Sequence, residues 1–282
     1  MSTLSNHLWL WGQEPGSHHT RPFYNLPGVN QMTPSEGGSF LGIPNCCRVV
    51  MENSDQCPYT NEDEIFRSFE KVVLSAIGAG GVARYSDDRS DLDEALKLAE
   101  RYSNVTGVVL DDFFNSVEGF EMNGKLARHS IESIRSMKDR LNRFAQRRLD
   151  LWLVWYTYQL DFDIQPYVDL CDVITLWTWK GSDLQNIDAN IRKLVSRTPN
   201  QRRLAGCYLW NYGEGKPLTA EEMTWQLDRY LYWIKEGAIE GIVVCSNCIC
   251  DIGLESVDQL KEWIEKHKDL PIPPRREALS IG

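Results

Sequence analysis

Residues 172–196 read DVITLWTWKGSDLQNIDANIRKLVS, a short apolar run followed by a segment of helical period. The run at 172–177 is rich in β-branched and aromatic residues, which is typical of a buried strand. The segment at 183–196 repeats apolar residues at helical spacing, which predicts an amphipathic helix. Together they predict one strand-helix unit.

The same unit recurs along the chain. Eight runs are predicted as strands, at 7–11, 46–51, 71–77, 106–110, 151–156, 172–177, 204–210 and 241–246. The third could equally continue a helix that begins at Glu62. Helical patterns cover 91–101, 126–147, 183–196, 219–236 and 253–269. Strand then helix, repeated about eight times in 282 residues, predicts the α/β class and a single (β/α)8 barrel of the TIM type.

The barrel is predicted to span 1–270, with 271–282 as a proline-rich C-terminal tail. An open nucleotide-binding sheet would need a glycine-rich turn after its first strand, and WGQEPGSHH at 11–19 is not such a turn. No linker rich in Pro, Gly and Ser divides the chain. We therefore expect one barrel domain.

Charge and hydropathy restrict the partners. The net charge of −10 and the pI near 5.1 leave no basic surplus to neutralise phosphates, so no nucleic-acid partner is predicted. The N-terminal segment lacks a basic start followed by a long apolar stretch, and no segment approaches about 18 uninterrupted apolar residues. The sequence predicts a cytoplasmic protein without membrane contact, and its aromatic content allows a homo-oligomer.

The eight cysteines are predicted to be reduced thiols. Cys46 and Cys47 are adjacent, while Cys171 and Cys207 lie in apolar runs, where free cysteine behaves as a small hydrophobe. The run CSNCIC at 245–250 could hold zinc, but a closed zinc site needs a fourth ligand that no second cluster supplies. We favour a buried strand end and predict neither a metal nor another cofactor.

The fourth strand ends in GVVLDDFF at 107–114. Chemistry in a (β/α)8 barrel takes place at the C-terminal ends of the strands, so Asp111 and Asp112 fall at the mouth. Because side chains alternate along a strand, we expect only one of them to point at the barrel axis. The sequence leaves open which one does.

The other strand ends combine aromatic and polar residues. Aromatic faces pack against the C–H faces of sugar rings, while amides and carboxylates bond the hydroxyls, so this composition indicates a carbohydrate site. About half of the strand tryptophans, such as Trp9, Trp152 and Trp155, are expected to fill the barrel instead. The predicted substrate-binding residues are Trp11, His18, His19, Glu52, Tyr156, Trp177, Trp179, Trp210, Asn211 and Asn247.

The repeated units, the GVVLDDFF motif and the tryptophan-rich mouth together resemble a glycoside-hydrolase-type (β/α)8 barrel. Chitinase-like barrels place a series of acidic residues on the fourth strand that ends in a catalytic glutamate; here Phe114 stands where that glutamate would be sought. The similar α-galactosidase-like barrels set an aspartate nucleophile at the end of that strand. The resemblance implies a hydrolase whose fourth-strand aspartate takes part in catalysis.

Glycoside hydrolysis needs one protonated and one ionised carboxyl group on either side of the scissile bond. We predict that Asp111 or Asp112 supplies one and Glu14 the other, with Glu52 and Glu214 as substitutes. The substrate is expected to be a small glycoside.

Three other functions stay open. A metal-dependent sugar isomerase or epimerase would coordinate its cation with Glu14, His18, His19, Glu52 and a fourth-strand aspartate. A Schiff-base lyase would use Lys180, whose pKa would be lowered among tryptophans. A non-catalytic carbohydrate-binding barrel needs the aromatic lining but not the acid pair.

Overall fold

The computed structural model describes residues 2–50, 63–77, 91–114 and 126–272. Within these ranges eight parallel strands pair in chain order and close into a barrel, which confirms the predicted single (β/α)8 fold. The strands are β1 (Leu8–Gly12), β2 (Asn45–Arg48), β3 (Lys71–Ile77), β4 (Val105–Leu110), β5 (Asp150–Tyr156), β6 (Val173–Trp177), β7 (Arg202–Tyr208) and β8 (Gly241–Cys245).

Eight α-helices surround the strands in the described ranges. They are α1 (Pro34–Leu41), α2 (Asp63–Ser68), α3 (Asp91–Arg101), α4 (Ile131–Asn142), α5 (Gln165–Val168), α6 (Ile187–Arg197), α7 (Ala220–Lys235) and α8 (Glu255–His267). Helix α2 ends before β3 begins, so the ambiguous third run is a strand. Helix α4 is shorter than the predicted 126–147 because the Ser130 side chain caps its first turn by accepting from the Ser133 N–H.

The barrel closes between its first and last strands. Strands β1 and β8 are parallel neighbours, with Trp9 opposite Val243. Next to this seam the two ends of the described chain meet, because the Ile272 N–H donates to the Ser2 carbonyl at 2.9 Å. Residues 273–282 of the predicted tail lie outside the described residues.

Tryptophans fill the barrel interior. The rings of Trp9 and Trp152 meet edge to face with centroids 4.7 Å apart, and those of Trp11 and Trp177 at 5.3 Å. These contacts join strands from opposite sides of the barrel, so all four side chains point inward. A side chain on Gly206 of β7 would run into the Trp177 ring, which explains why glycine stands there.

The seven cysteines in the described ranges are buried free thiols. Among the helices of those ranges, none is both long and apolar enough to cross a membrane.

Candidate functional site

Asp111 points into the barrel. Val109 of β4 pairs with the inward-facing Trp152, and Asp111 lies two residues further on, so alternation along the strand directs it to the same side. Its side chain is buried, and its charge acts on the thiols of Cys47 and Cys245 at the ends of β2 and β8. The Asp111 carboxyl group therefore lies near the axis at the mouth.

The surroundings of Asp111 favour its protonated form. Burial raises the pKa of this carboxyl well above its ordinary value, and the negative charge of Asp112 raises it further. The guanidinium of Arg128 opposes the shift. A carboxyl group that keeps its proton is suited to act as a general acid.

Asp112 lies at the mouth for a different structural reason. Alternation would turn it outward, but its backbone lies in the left-handed region with φ of 44°. Its Oδ1 accepts a hydrogen bond of 2.7 Å from the Tyr156 hydroxyl at the end of β5. Strand alternation does not extend through this residue, and the Tyr156 contact places Asp112 at the mouth beside Asp111.

A half-buried cation, Arg128, lies beside the two aspartates. The Arg128 N–H donates to the Phe113 carbonyl at 3.1 Å, which returns the chain to the acid pair after the segment that follows β4. Burial lowers the pKa of Arg128, while the charges of Asp112 and Asp111 raise it. The arginine thus offsets part of the negative charge of the pair.

Five aromatic residues line the mouth and form what we call the aromatic cluster. Its members are Tyr24, Tyr156, Trp179, Tyr208 and Tyr212. Trp179 is central, with ring centroids 6.2 Å from Tyr156, 5.8 Å from Tyr208 and 5.8 Å from Tyr212. Burial raises the pKa of the Tyr156, Tyr208 and Tyr212 hydroxyls well above its usual range, so they are neutral hydrogen-bonding groups.

Tyr24, Tyr208 and Tyr212 are absent from the predicted substrate-binding residues. Tyr208 was missed because the seventh strand was predicted to end at 210, whereas β7 ends at Tyr208. Tyr24 comes from the segment after β1, whose carbonyl at Tyr24 accepts from the Trp210 indole N–H at 2.8 Å. No local sequence pattern predicts that contact, since Tyr24 and Trp210 are far apart in the chain.

Trp11 and Trp177 lie just below the aromatic cluster. Both are almost fully buried, and the Trp177 indole N–H donates to the Thr175 hydroxyl at 2.9 Å. Their rings form the floor of the mouth. Of the predicted tryptophans at the mouth, Trp179 is the one that keeps a partly exposed ring.

The predicted residues Trp210, Asn211 and Asn247 hold loops together. The Asn211 amide donates to the Glu214 carboxylate at 3.1 Å. The Asn247 side chain accepts from the Gln13 N–H at 2.8 Å and donates to the Gln13 carbonyl at 2.9 Å. These amides are bonded within the protein, and their role toward a substrate stays a prediction.

The two adjacent histidines differ in environment. His18 is buried; its Nε2–H donates to the Gln13 side-chain oxygen, and its Nδ1 accepts from the Tyr212 hydroxyl at 2.6 Å. Burial lowers the pKa of His18 to about 3, so the ring is neutral. The His19 Nε2–H donates to the Pro27 carbonyl at 3.2 Å. The structure thus connects His18 to the aromatic cluster, while His19, in the same 3-10 turn (Ser17–Thr20) of the loop after β1, bonds the Pro27 carbonyl.

Glu14 and Glu214, the other predicted acids that the structure describes, are paired with basic residues. Glu14 forms an ion pair with Arg48, which faces away from the axis because its neighbour Cys47 faces inward. Hydrogen bonds from Lys216 and Ser182 lower the pKa of Glu214 to about 2. Lys180 is exposed, and Glu52 lies outside the described residues.

Metal ligands do not cluster within the described ranges: no three His, Cys, Asp or Glu side chains there are grouped so that they could hold an ion. Cys248 donates to the Glu14 carbonyl at 3.0 Å and Cys250 to the Ser246 carbonyl at 3.2 Å, so both thiols bond the backbone.

Comparison with known proteins finds likeness at the level of the fold. No protein-family model matches the chain, and no curated protein sequence matches it. A solved structure from Bacteroides thetaiotaomicron VPI-5482, provisionally described as an alpha-L-fucosidase, aligns with a TM-score of 0.59 at 10% identity, covering 96% of this chain and 98% of that one. The tryptophan synthase complex from Pyrococcus furiosus aligns with a TM-score of 0.51 at 11% identity, over 94% and 98%.

Proposed function

We propose that this protein is a carbohydrate-active enzyme that hydrolyses the glycosidic bond of a small glycoside. The observation that carries the proposal is the acid pair itself: a buried carboxyl group that favours its proton lies beside a second carboxyl that Tyr156 holds at the same mouth. Two carboxyl groups in different protonation states are what glycoside hydrolysis requires.

In this mechanism Asp111 gives its proton to the glycosidic oxygen as the bond to the anomeric carbon breaks. Asp112 takes the second role: it stabilises the developing positive charge and either attacks the anomeric carbon or removes a proton from the attacking water. The Tyr156 hydroxyl orients the Asp112 carboxylate by its 2.7 Å hydrogen bond. Arg128 limits the charge repulsion between the two groups.

The aromatic cluster supplies the binding surface. The partly exposed ring of Trp179 offers a face to a sugar, and the neutral hydroxyls of Tyr208 and Tyr212 can bond its hydroxyl groups. Glu14 stays the alternative second carboxyl, although its pairing with Arg48 engages it elsewhere. The fold likeness to a provisionally described fucosidase is consistent with this substrate class.

The first test is turnover of aryl glycosides and small oligosaccharides, with and without chelator. We expect chelator-resistant release of sugar that Asp111→Asn and Asp112→Asn each abolish. Asp93→Asn, on the outer helix α3, is the control and should retain activity.

Other outcomes point to the remaining functions. Activity that chelator removes would favour a metal-dependent isomerase, and reductive trapping of a carbonyl substrate on Lys180 would favour a lyase. Binding of sugars without any turnover, unchanged in both Asn variants, would favour a non-catalytic binding barrel. A cytoplasmic location and self-association are further proposals, for which fractionation and sedimentation are the measurements.

A further inference from the structure

An exposed aromatic ring adjoins the acid pair. Tyr158 lies two residues beyond β5 and remains 48% exposed, although it is large and apolar. Its ring stacks on that of Tyr156, with centroids 5.3 Å apart and planes at 11°. One face of Tyr158 therefore rests on the aromatic cluster, and the exposed surface continues the lining of the mouth outward.

The turn that presents Tyr158 is fixed by its neighbour. Gln159 is almost fully buried; its side-chain oxygen accepts from the Tyr156 N–H at 3.1 Å, and its backbone carbonyl accepts from the Trp155 indole N–H at 3.1 Å. These bonds hold the turn at the end of β5. A ring held in place before binding loses little conformational freedom when a ligand stacks on it.

The position of Tyr158 relative to the acid pair sets what it can bind. Tyr156 donates to Asp112, so in the proposed function the bond to be cleaved lies near Tyr156, and the Tyr158 ring is stacked directly on that of Tyr156. A sugar ring has about the size of an aromatic ring. A ligand in which one sugar contacts the acid pair therefore places its next sugar over Tyr158.

Phe23 is also exposed and contacts the aromatic cluster, with its ring centroid 4.6 Å from that of Tyr24, whereas two other exposed rings, Tyr232 and Phe40, do not. Tyr232 is 42% exposed on α7, outside the barrel, and the Arg229 guanidinium lies over its ring at 4.4 Å. The Lys261 ammonium lies over the ring of Phe40 on α1, 3.6 Å from the ring centroid. Neither ring continues the aromatic cluster, so Tyr232 is a matched control.

We infer that Tyr158 forms a second sugar-binding subsite, so that the site takes an oligosaccharide of at least two rings rather than a single monosaccharide unit. This inference rests on the proposed function for the location of the cleaved bond. Its chemical basis is stacking of a pyranose face on the tyrosine ring, which needs no charged group.

The test measures binding separately from turnover. The full chain with Asp111→Asn, which cannot hydrolyse its ligand, is titrated with three pairs of probes: methyl β-glucoside with cellobiose, methyl α-mannoside with mannobiose, and methyl β-N-acetylglucosaminide with chitobiose. Affinity is followed by ligand-observed NMR. We expect at least one disaccharide to bind about tenfold tighter than its methyl glycoside.

Variants then locate the effect. Tyr158→Ala should remove most of that tenfold preference, while Tyr158→Phe, which keeps the ring, and Tyr232→Ala should retain it. Equal affinity for both members of every pair, no binding of any disaccharide, or a preference that survives Tyr158→Ala would overturn the subsite. If the protein hydrolyses glycosides but shows no preference for disaccharides, the subsite is wrong and the proposed function stands. If it shows the preference but hydrolyses no glycoside, the subsite stands and the proposed hydrolase function is wrong.

Discussion

Asp111 combines its proposed role as an acid with a cost to the folded state. Its folded pKa lies above the ordinary value, so between the two values the unfolded chain has released a proton that the folded chain still holds. Stability contributed by this group is therefore lost as the pH rises, at a limit of about 1.4 kcal/mol per pH unit. Function and stability conflict at this residue.

We predict that Asp111→Asn inactivates the enzyme and makes it more stable relative to the native protein as the pH rises. The amide cannot ionise, so the desolvation penalty disappears. Melting temperatures of both proteins at pH 5 and pH 8 measure the effect. A difference that is the same at both pH values would contradict the raised pKa.

In the proposed mechanism Tyr156 acts through Asp112. Replacing it by Phe removes the hydroxyl that donates to Oδ1 but keeps the ring against Trp179 and Tyr158. A hydrogen bond to a charged group contributes about 1.5–3 kcal/mol, so we expect kcat to fall roughly ten- to a hundredfold with little change in KM. A change confined to KM would show that the hydroxyl binds substrate and does not orient the carboxylate.

At the scale of elements, Gly206 of β7 packs directly against the Trp177 ring of β6. We predict that Gly206→Ala lowers the free energy of unfolding by about 1–3 kcal/mol, because the added methyl group runs into the Trp177 ring. Urea unfolding measures this loss. Combining it with Trp177→Phe should recover part of the loss, because the smaller ring leaves room; strictly additive effects would argue against the contact.

The elements themselves are largely predictable from local signals. Apolar runs indicate all eight strands, and Thr219 with Glu222 forms the capping box that starts α7 at Ala220. Helix α1 was missed because its sequence PSEGGSFL contains two glycines, although Thr33 and Glu36 form the same capping signal. Those glycines are needed because side chains at Gly37 and Gly38 would meet Asn247 and the Phe69 ring.

The site is less predictable than the barrel. Strand alternation predicts that one aspartate points inward, but the pairing of β4 with β5 is what shows that it is Asp111. The position of Asp112 depends on a left-handed backbone conformation that no sequence pattern indicates. Tyr24 reaches the mouth through a contact with Trp210, and the Asn25 amide donates to the Gly215 carbonyl at 3.0 Å. Such contacts between distant loops are set by the closed fold.

For the molecule as a whole, His18 makes the free energy of unfolding depend on pH in the acid range. The pKa of His18 is about 3 in the folded chain and 6.5 ordinarily. Between these two pH values the unfolded chain binds a proton on His18 that the folded chain does not bind. Stability is therefore lost as the pH falls from about 6.5 towards 3, the opposite sense to Asp111.

We predict that urea unfolding shows this loss between pH 6.5 and 4.5, by at most about 1.4 kcal/mol per pH unit. His18→Gln should flatten the dependence while lowering stability at neutral pH. His19→Gln, a change at the adjacent loop position, should leave the slope unchanged. An equally steep slope in His18→Gln would refute the assignment.

The pairing of β1 with β8 also bears on how the chain is made. As the protein emerges from the ribosome, β1 has β2 as one neighbour, but the strand that covers its other edge arrives more than two hundred residues later. Until then the unpaired backbone groups of Leu8–Gly12 form an open edge that other chains can join. Strand β8 can cover this edge only after the C-terminal part of the chain has left the ribosome, and edge-to-edge aggregation through β1 is prevented from that point on.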